Sequence, residues 1–201
     1  MPTSIMIVDD FLPNPAAVRD AALHLTYPDL QGNFPGRNSL QRLEMSGLAQ
    51  EVSRLVGEPL KPVEPMRSHG KCRAALARDS GLAHVHIDDA HWSGILYLSR
   101  PEDCRGGTEF FRHKPTGTDC APRDQAEARA LGFDSPGDAA QRILERDSVD
   151  ADKWELTMQV PMRFNRLVLL RPWLWHTAGP AFGDTLENGR LIYLMFFASA
   201  R

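Results

Sequence analysis

The chain has 201 residues, of which 42% are hydrophobic and 24% charged, with a formal net charge of -3. That length suits one domain with a sizeable core, and the composition is that of an ordinary globular protein, which excludes disordered and fibrous classes. There is no excess of basic residues to draw in nucleic acid or an anionic membrane surface, so partners of those kinds are not expected.

Ile5-Met6-Ile7-Val8 is a short β-prone run ended by Asp9-Asp10. No basic segment precedes it, so it does not read as a signal peptide. Ala16 to Leu25 reads as a helix, with Asn14 as N-cap, Pro15 at the first helical position and Pro28 beyond its end. A second helix is expected over Gly47 to Val56, with Leu48, Val52, Leu55 and Val56 on one face and Gly57 and Pro59 as stops.

From about Cys72 short apolar or alternating runs follow one another, separated by Gly, Pro, Asp and Asn. The expected strands are Cys72–Ala77, His84–Asp88, Gly94–Ser99, Thr108–Lys114, Trp154–Val160, Leu167–Arg171, His176–Ala181 and Arg190–Ala198. Helical crossovers are missing between most of them, which points to a mainly β domain, a closed barrel or jelly roll, rather than a parallel α/β sheet. The last run is far shorter than the roughly 20 apolar residues needed to span a bilayer. Cys72, Cys104 and Cys120 are an odd number without CxxC spacing and read as free thiols. A soluble, cytoplasmic protein is expected.

Pro115 to Asp152 breaks the rhythm. It is polar, lacks strand signals and holds helix-like stretches at Arg123–Leu131 and Gly137–Arg146. A segment of that length is expected to be a mobile lid over the barrel mouth or a solvated decoration. The organisation read from the sequence is thus one domain: an N-terminal strand and helices over 1–70, a β core over 71–114 and 154–201, and an insertion over 115–153.

The chemistry gathers around His86-Ile87-Asp88. On a strand, side chains at i and i+2 leave the same face, so an imidazole and a carboxylate would converge. His176, after a buried-looking run that ends Pro172-Trp173-Leu174-Trp175, is the best placed third ligand. Two histidines and one carboxylate make the facial arrangement that leaves adjacent coordination positions open, which suits Fe(II) oxygenases. Arg190 opens the last apolar strand. Buried there without a partner it would be costly, so it either reaches solvent or meets an anion, and its planar fork matches a carboxylate.

Two neighbours offer other ligand sets. His84-Val85-His86 resembles the metal motif of cupins, which would make a centre of His84, His86 and His176 without 2-oxoglutarate. A ligand-binding jelly roll with purely structural histidines is the non-catalytic alternative. Asp89 lies on the opposite face from Asp88 if the strand is regular. His91 and Trp92 either line the entrance or simply pack. Arg112, His113 and Lys114, like Arg73 and Arg171, either meet an acidic ligand or form solvated strand ends.

Taken together, His86-Ile87-Asp88, Gly94-Ile95-Leu96-Tyr97-Leu98-Ser99, Gly106-Gly107-Thr108-Glu109-Phe110-Phe111, His176 and Arg190 resemble the Fe(II)/2-oxoglutarate-dependent oxygenase superfamily. The likeness is to its prolyl-hydroxylase-like branch and small bacterial relatives. It covers most of the chain, including the opening Ile7-Val8-Asp9-Asp10-Phe11-Leu12, and leaves Pro115 to Asp152 unmatched. The resemblance implies a double-stranded β-helix core and a dioxygenase that hydroxylates a small molecule or an amino-acid or peptide side chain. It implies iron on His86, Asp88 and His176, 2-oxoglutarate as cosubstrate with dioxygen, and Arg190 on the cosubstrate carboxylate. Tyr97 would hydrogen-bond that carboxylate, or else be a half-buried strand tyrosine with a water partner. One departure from the superfamily pattern is the extra turn Pro180 to Glu187, which lengthens the path from His176 to Arg190.

Overall fold

The computed structural model describes residues 3–29 and 32–201. Two antiparallel sheets carry the architecture. The larger has seven strands: β1 (Ile5–Val8), β8 (Leu167–Leu170), β5 (Trp92–Tyr97), β10 (Arg190–Ser199), β4 (Lys71–Ala75) and β2 (Arg37–Arg42) lie side by side in that order, and β3 (Leu60–Pro62) pairs with the end of β10. The smaller places β6 (Gly107–His113) between β7 (Trp154–Pro161) and β9 (His176–Thr177).

Strand alternation sorts the larger sheet's side chains onto two covered faces. Leu167, Leu169, Leu191, Tyr193, Met195 and Phe197 pack outward with Ala22 of α1 (Pro15–Leu23) and with Leu48 and Val52 of α2 (Leu48–Val56). Val168, Leu170, Ile95, Tyr97 and Ile192 face inward against Phe110, Val160 and Met162 of the smaller sheet's side. Burial on both faces explains why β5, β8 and most of β10 read as continuous apolar runs instead of alternating ones. Each of these fully buried aliphatic side chains contributes about 1.5–3 kcal/mol.

The two N-terminal helices form where the sequence places them, with Asn14 accepting from the Ala17 amide at 3.3 Å as an N-cap and Gly57 ending α2 at φ 71°. The short strands β2 and β3 were not foreseen. Arg37-Asn38-Ser39-Leu40-Gln41-Arg42 is almost wholly polar, and pairing along β4 rather than any apolar pattern makes it a strand.

The insertion also departs from expectation. Its helices α3 (Gln125–Ala130) and α4 (Pro136–Asp147) form as read, but they do not lie over a mouth. Ile143 and Ala140 pack with Phe111, Trp154, Trp175 and Val85 on the outer side of the smaller sheet. Behind them His113 is fully buried, with Nε2 2.9 Å from Asp147 Oδ2. The result is four layers: α1 and α2, the larger sheet, the smaller sheet, and the insertion. Among the described residues no helix is long and apolar enough to cross a membrane, and the three cysteines are unpaired.

Candidate metal centre and anion pocket

His84–Asp88 is not a strand. The segment makes one isolated bridge, in which the His86 amide donates to His176 O at 2.9 Å and the His176 amide donates to His86 O at 3.1 Å. A further bond from the Asp88 amide to Pro172 O, 3.1 Å, holds the segment's far end. β9 is correspondingly reduced to His176–Thr177 in place of the expected six residues. Glycines permit the close approach of β7 and of the chain after β9 to the start of β6. A Cβ on Gly107, at φ 149°, would meet Val160 O at 1.9 Å, and one on Gly179, at φ 80°, would meet Gly107 O at 1.9 Å. Neither position tolerates a side chain.

This backbone brings three ligand-type atoms together, one each from His86, Asp88 and His176, all within 4.8 Å of one another. His86 Nε2 lies 3.9 Å from Asp88 Oδ1, His176 Nε2 lies 3.4 Å from Asp88 Oδ2, and the imidazole centroids are 4.4 Å apart. Each Nδ1 faces a main-chain carbonyl, His84 O at 3.1 Å for His86 and Leu174 O at 2.8 Å for His176. A proton on Nδ1 in both rings leaves each Nε2 as an electron-pair donor aimed at the carboxylate. Three such donors facing one another repel unless a proton or a cation sits among them, which is the donor set of a metal site.

Electrostatics favour the metal-binding states of two of the three groups, the neutral His86 imidazole and the ionised Asp88 carboxylate. Burial first, then the charge of His176, holds the His86 imidazole down at about 4. Burial would push the Asp88 carboxyl up, but the His176 hydrogen bond, both histidine charges and the Ser93 hydroxyl hold it at about 2. Ser93 donates to Asp88 Oδ2 at 2.6 Å. The sequence reading overlooked Ser93, although one hydroxyl in the otherwise apolar strand Trp92–Tyr97 needs a buried partner.

The trio opens into a cavity of about 410 Å³ between the sheets. Arg190 lies in its wall, 3% exposed, and its Nε and Nη2 have no hydrogen-bond partner among the described residues. Burial, reinforced by the charge of Arg73, lowers its pKa to about 10. The long turn before β10 does not divert it. Asn188 Oδ1 accepts from the Asp184 and Thr185 amides at 2.9 and 3.0 Å, closing the turn on itself, and Arg190 then pairs with Ala75 in register.

Lys114 is exposed, and the other basic candidates are engaged. Arg73 also lines the cavity, but donates to Asn38 Oδ1 at 2.8 Å and to the carbonyls of Phe34, Pro35 and Gly36. Arg171 is outside it, bonded to Glu58 and lying 4.1 Å over the Trp92 ring, with His91 Nε2 2.6 Å from Glu58 Oε2. His91 and Trp92 therefore pack rather than line an entrance. Arg112 pairs with Asp119 at 2.9 Å on the surface.

Tyr97 does not line the cavity. It is fully buried, not half-buried as the sequence suggested, and its hydroxyl lies 2.7 Å from Thr108 Oγ1 while accepting from the Thr108 amide at 2.9 Å. Its reach is spent on β6 of the opposite sheet. His84 is exposed at the cavity edge and lies outside the ligand cluster. At the mouth, exposed Arg67 and Asp89 pair at 3.0 Å, while Phe34 lies against the His86 ring at 4.2 Å. No residue of 115–152 lines the cavity.

A protein-family model, described as a family of unknown function (DUF6445), matches residues 2–197. The chain belongs to this family. No curated protein matches this DUF6445 member. Among solved structures it is similar to HygX from Streptomyces hygroscopicus with nickel, 2-oxoglutarate and hygromycin B bound, at 13% identity and TM-score 0.55, covering 98% of this chain and 84% of that one. It is also similar to a prolyl hydroxylase from Trichoplax adhaerens in complex with a hypoxia inducible factor oxygen degradation domain peptide fragment, at 12% identity and TM-score 0.50, with the same coverage of both chains. At such identities the likeness is one of fold: the DUF6445 chain shares its antiparallel jelly-roll architecture with these structures.

Proposed function

We propose that the protein is a non-haem Fe(II) and 2-oxoglutarate-dependent oxygenase that hydroxylates a C–H bond of a small molecule or an amino-acid side chain. The observation that carries this reading is the pairing, in one cavity, of a two-histidine, one-carboxylate cluster with a buried guanidinium that has unpartnered donors. A buried charge of that kind needs an anion, and a dicarboxylic keto acid that chelates a metal at one end and presents a carboxylate at the other satisfies both halves. The nickel and 2-oxoglutarate bound in the HygX structure accord with this assignment.

His86, Asp88 and His176 would hold Fe(II). The chemistry such a centre supplies is oxidative decarboxylation of 2-oxoglutarate to succinate by dioxygen, coupled to C–H hydroxylation. The chain's own contribution is positional. Carbonyls of His84 and Leu174 fix the imidazole tautomers, Ser93 orients the carboxylate, and Arg190 would set the cosubstrate's direction through its planar fork. Val63, Ile87, Leu194 and Phe196 give the cavity apolar wall that would limit water around a bound substrate. The Tyr97 hydroxyl is engaged by Thr108, so Arg190 is the residue assigned to the cosubstrate carboxylate.

A cupin-like centre that uses His84 is disfavoured by the position of that residue outside the cluster. The deciding experiment is succinate release from 2-oxoglutarate by anaerobically Fe(II)-loaded protein admitted to dioxygen, screened against pooled metabolites and amino acids. Metal binding without any 2-oxoglutarate turnover or binding would return the cupin reading, and no metal binding would leave a ligand-binding jelly roll.

A further inference from the structure

The segment that delivers two of the three ligands lacks a sheet to hold it, and the insertion supplies what the sheet does not. α4 ends at Asp147, and Ser148 caps it with its own amide bonded to Leu144 O at 3.1 Å. Ser148 is 7% exposed, and its polar groups run along the edge of the His84–His86 segment opposite to His176. Its Oγ accepts from the His84 amide at 3.0 Å and donates to Val85 O at 2.7 Å, and its carbonyl accepts from the Val85 amide at 3.2 Å. One residue thus performs the hydrogen bonding of a missing neighbour strand. His84 O, fixed by this grip, is the acceptor that faces His86 Nδ1.

The grip is itself anchored. Asp147 O accepts from Trp154 Nε1 at 2.8 Å, its carboxylate meets buried His113, and Val85 is seated with Ile143 and Trp175 in the insertion's apolar cluster. The segment 84–88 is therefore held between two supports, residues 172–176 on one edge and Ser148 on the other.

We propose that Ser148 is a positioning residue for the metal centre, and that the insertion is the outer buttress of His86 rather than a cover for the cavity. The proposal rests on the metal-centre reading above as far as metal affinity is concerned. The placement of 84–86 by Ser148 can be tested without it.

The test compares Ser148→Ala, Ser148→Thr and Val52→Ala. Val52→Ala opens a void in the core beneath α2, away from the insertion and the grip. Co(II) affinity and the Co(II) visible spectrum are measured on the full chain, and amide hydrogen exchange on the metal-free chain. Loss of a supporting contact of this kind lowers metal affinity about 10–100-fold. Ser148→Ala is expected to weaken Co(II) by that factor, to shift its spectrum, and to lose protection at the His84 amide. Ser148→Thr, which keeps the hydroxyl, should restore all three. Val52→Ala should lower thermal stability with Co(II) affinity within about twofold of wild type. Unchanged Co(II) affinity and unchanged His84 exchange in Ser148→Ala overturn the proposal, as does equal loss of affinity in Val52→Ala. Should the wild-type chain bind no Co(II), the metal reading falls by itself, and the exchange comparison still decides whether Ser148 places the segment.

Discussion

Replacing Arg190 by Met separates a ligand-binding arginine from a structural one by the sign of its effect on stability. Arg190 is 3% exposed, with Nε and Nη2 unpartnered, and burial lowers its pKa from 12.5 to about 10. A fall of that size disfavours the charged form by about 3 kcal/mol. Methionine keeps the stem packing and removes the stranded charge, so without cosubstrate the variant should be more stable, not less. For a domain of this size 1 kcal/mol moves Tm by about 2–4 °C, which places the gain at up to about 10 °C. The cosubstrate tells the opposite story. Each charge-assisted hydrogen bond is worth about 1.5–3 kcal/mol, so losing the fork weakens 2-oxoglutarate by about a hundredfold or more. Differential scanning calorimetry with and without 2-oxoglutarate, and calorimetric titration into anaerobic metal-loaded protein, read the two effects. A lower Tm in the ligand-free variant together with unchanged 2-oxoglutarate affinity would refute the reasoning.

Further outcomes follow from the site and its supports. His176→Ala and Asp88→Ala should each abolish stoichiometric Fe(II) binding with the fold intact, whereas His84→Ala should keep it; metal analysis and circular dichroism report both. In chelator-treated protein the folded pKa of His86, about 4, lies below its usual 6.5. The unfolded chain therefore takes the proton first on acidification, and stability falls between about pH 6.5 and 4 by up to about 3 kcal/mol. Buried His69 and His113, also held low by burial, slope the same way, so the quantity to measure by urea unfolding is the difference between wild type and His86→Gln, which should lose that share of the slope. Arg171→Met, which breaks the contact with Glu58 and leaves Trp92, should lower Tm, in contrast to Arg190→Met. Hydrogen exchange at Ala139 and Ile143, both fully buried, should be equally slow with and without 2-oxoglutarate, because the insertion does not close over the cavity.

The contrast between Arg190 and Tyr97 shows how far residue types and order reach. The apolar strand around Arg190 left its cation either to reach solvent or to meet an anion; the structure buries it, with Nε and Nη2 unpartnered among the described residues. Tyr97 stood in an equally suggestive position, but nothing in its neighbourhood along the chain revealed Thr108 across the sheets. The helices were legible through caps and stops, as with Asn14 and Gly57. β2 was not, because polar residues recruited by an edge carry no periodic signal. His86 and Asp88 were found by a strand argument on a segment that is no strand. Their convergence comes from the bridge to His176 and the grip of Ser148, both set by residues far away in the sequence. Ser148 was invisible for the same reason: the polarity of 115–152 spoke for a mobile lid or a solvated decoration, whereas its few apolar residues, Ile143 foremost, decide where it docks.

The place of β10 in the larger sheet carries a consequence for biosynthesis. This strand follows β3, β4 and β5 in the sequence yet lies between β5 and β4 and also pairs with β3, so three earlier strands wait for it. Vectorial synthesis at about 5–20 residues per second delivers it after all of them. Until it inserts, β4 and β5 present open edges with no neighbour between them, and in that interval the unpaired edges are most open to self-association or chaperone capture.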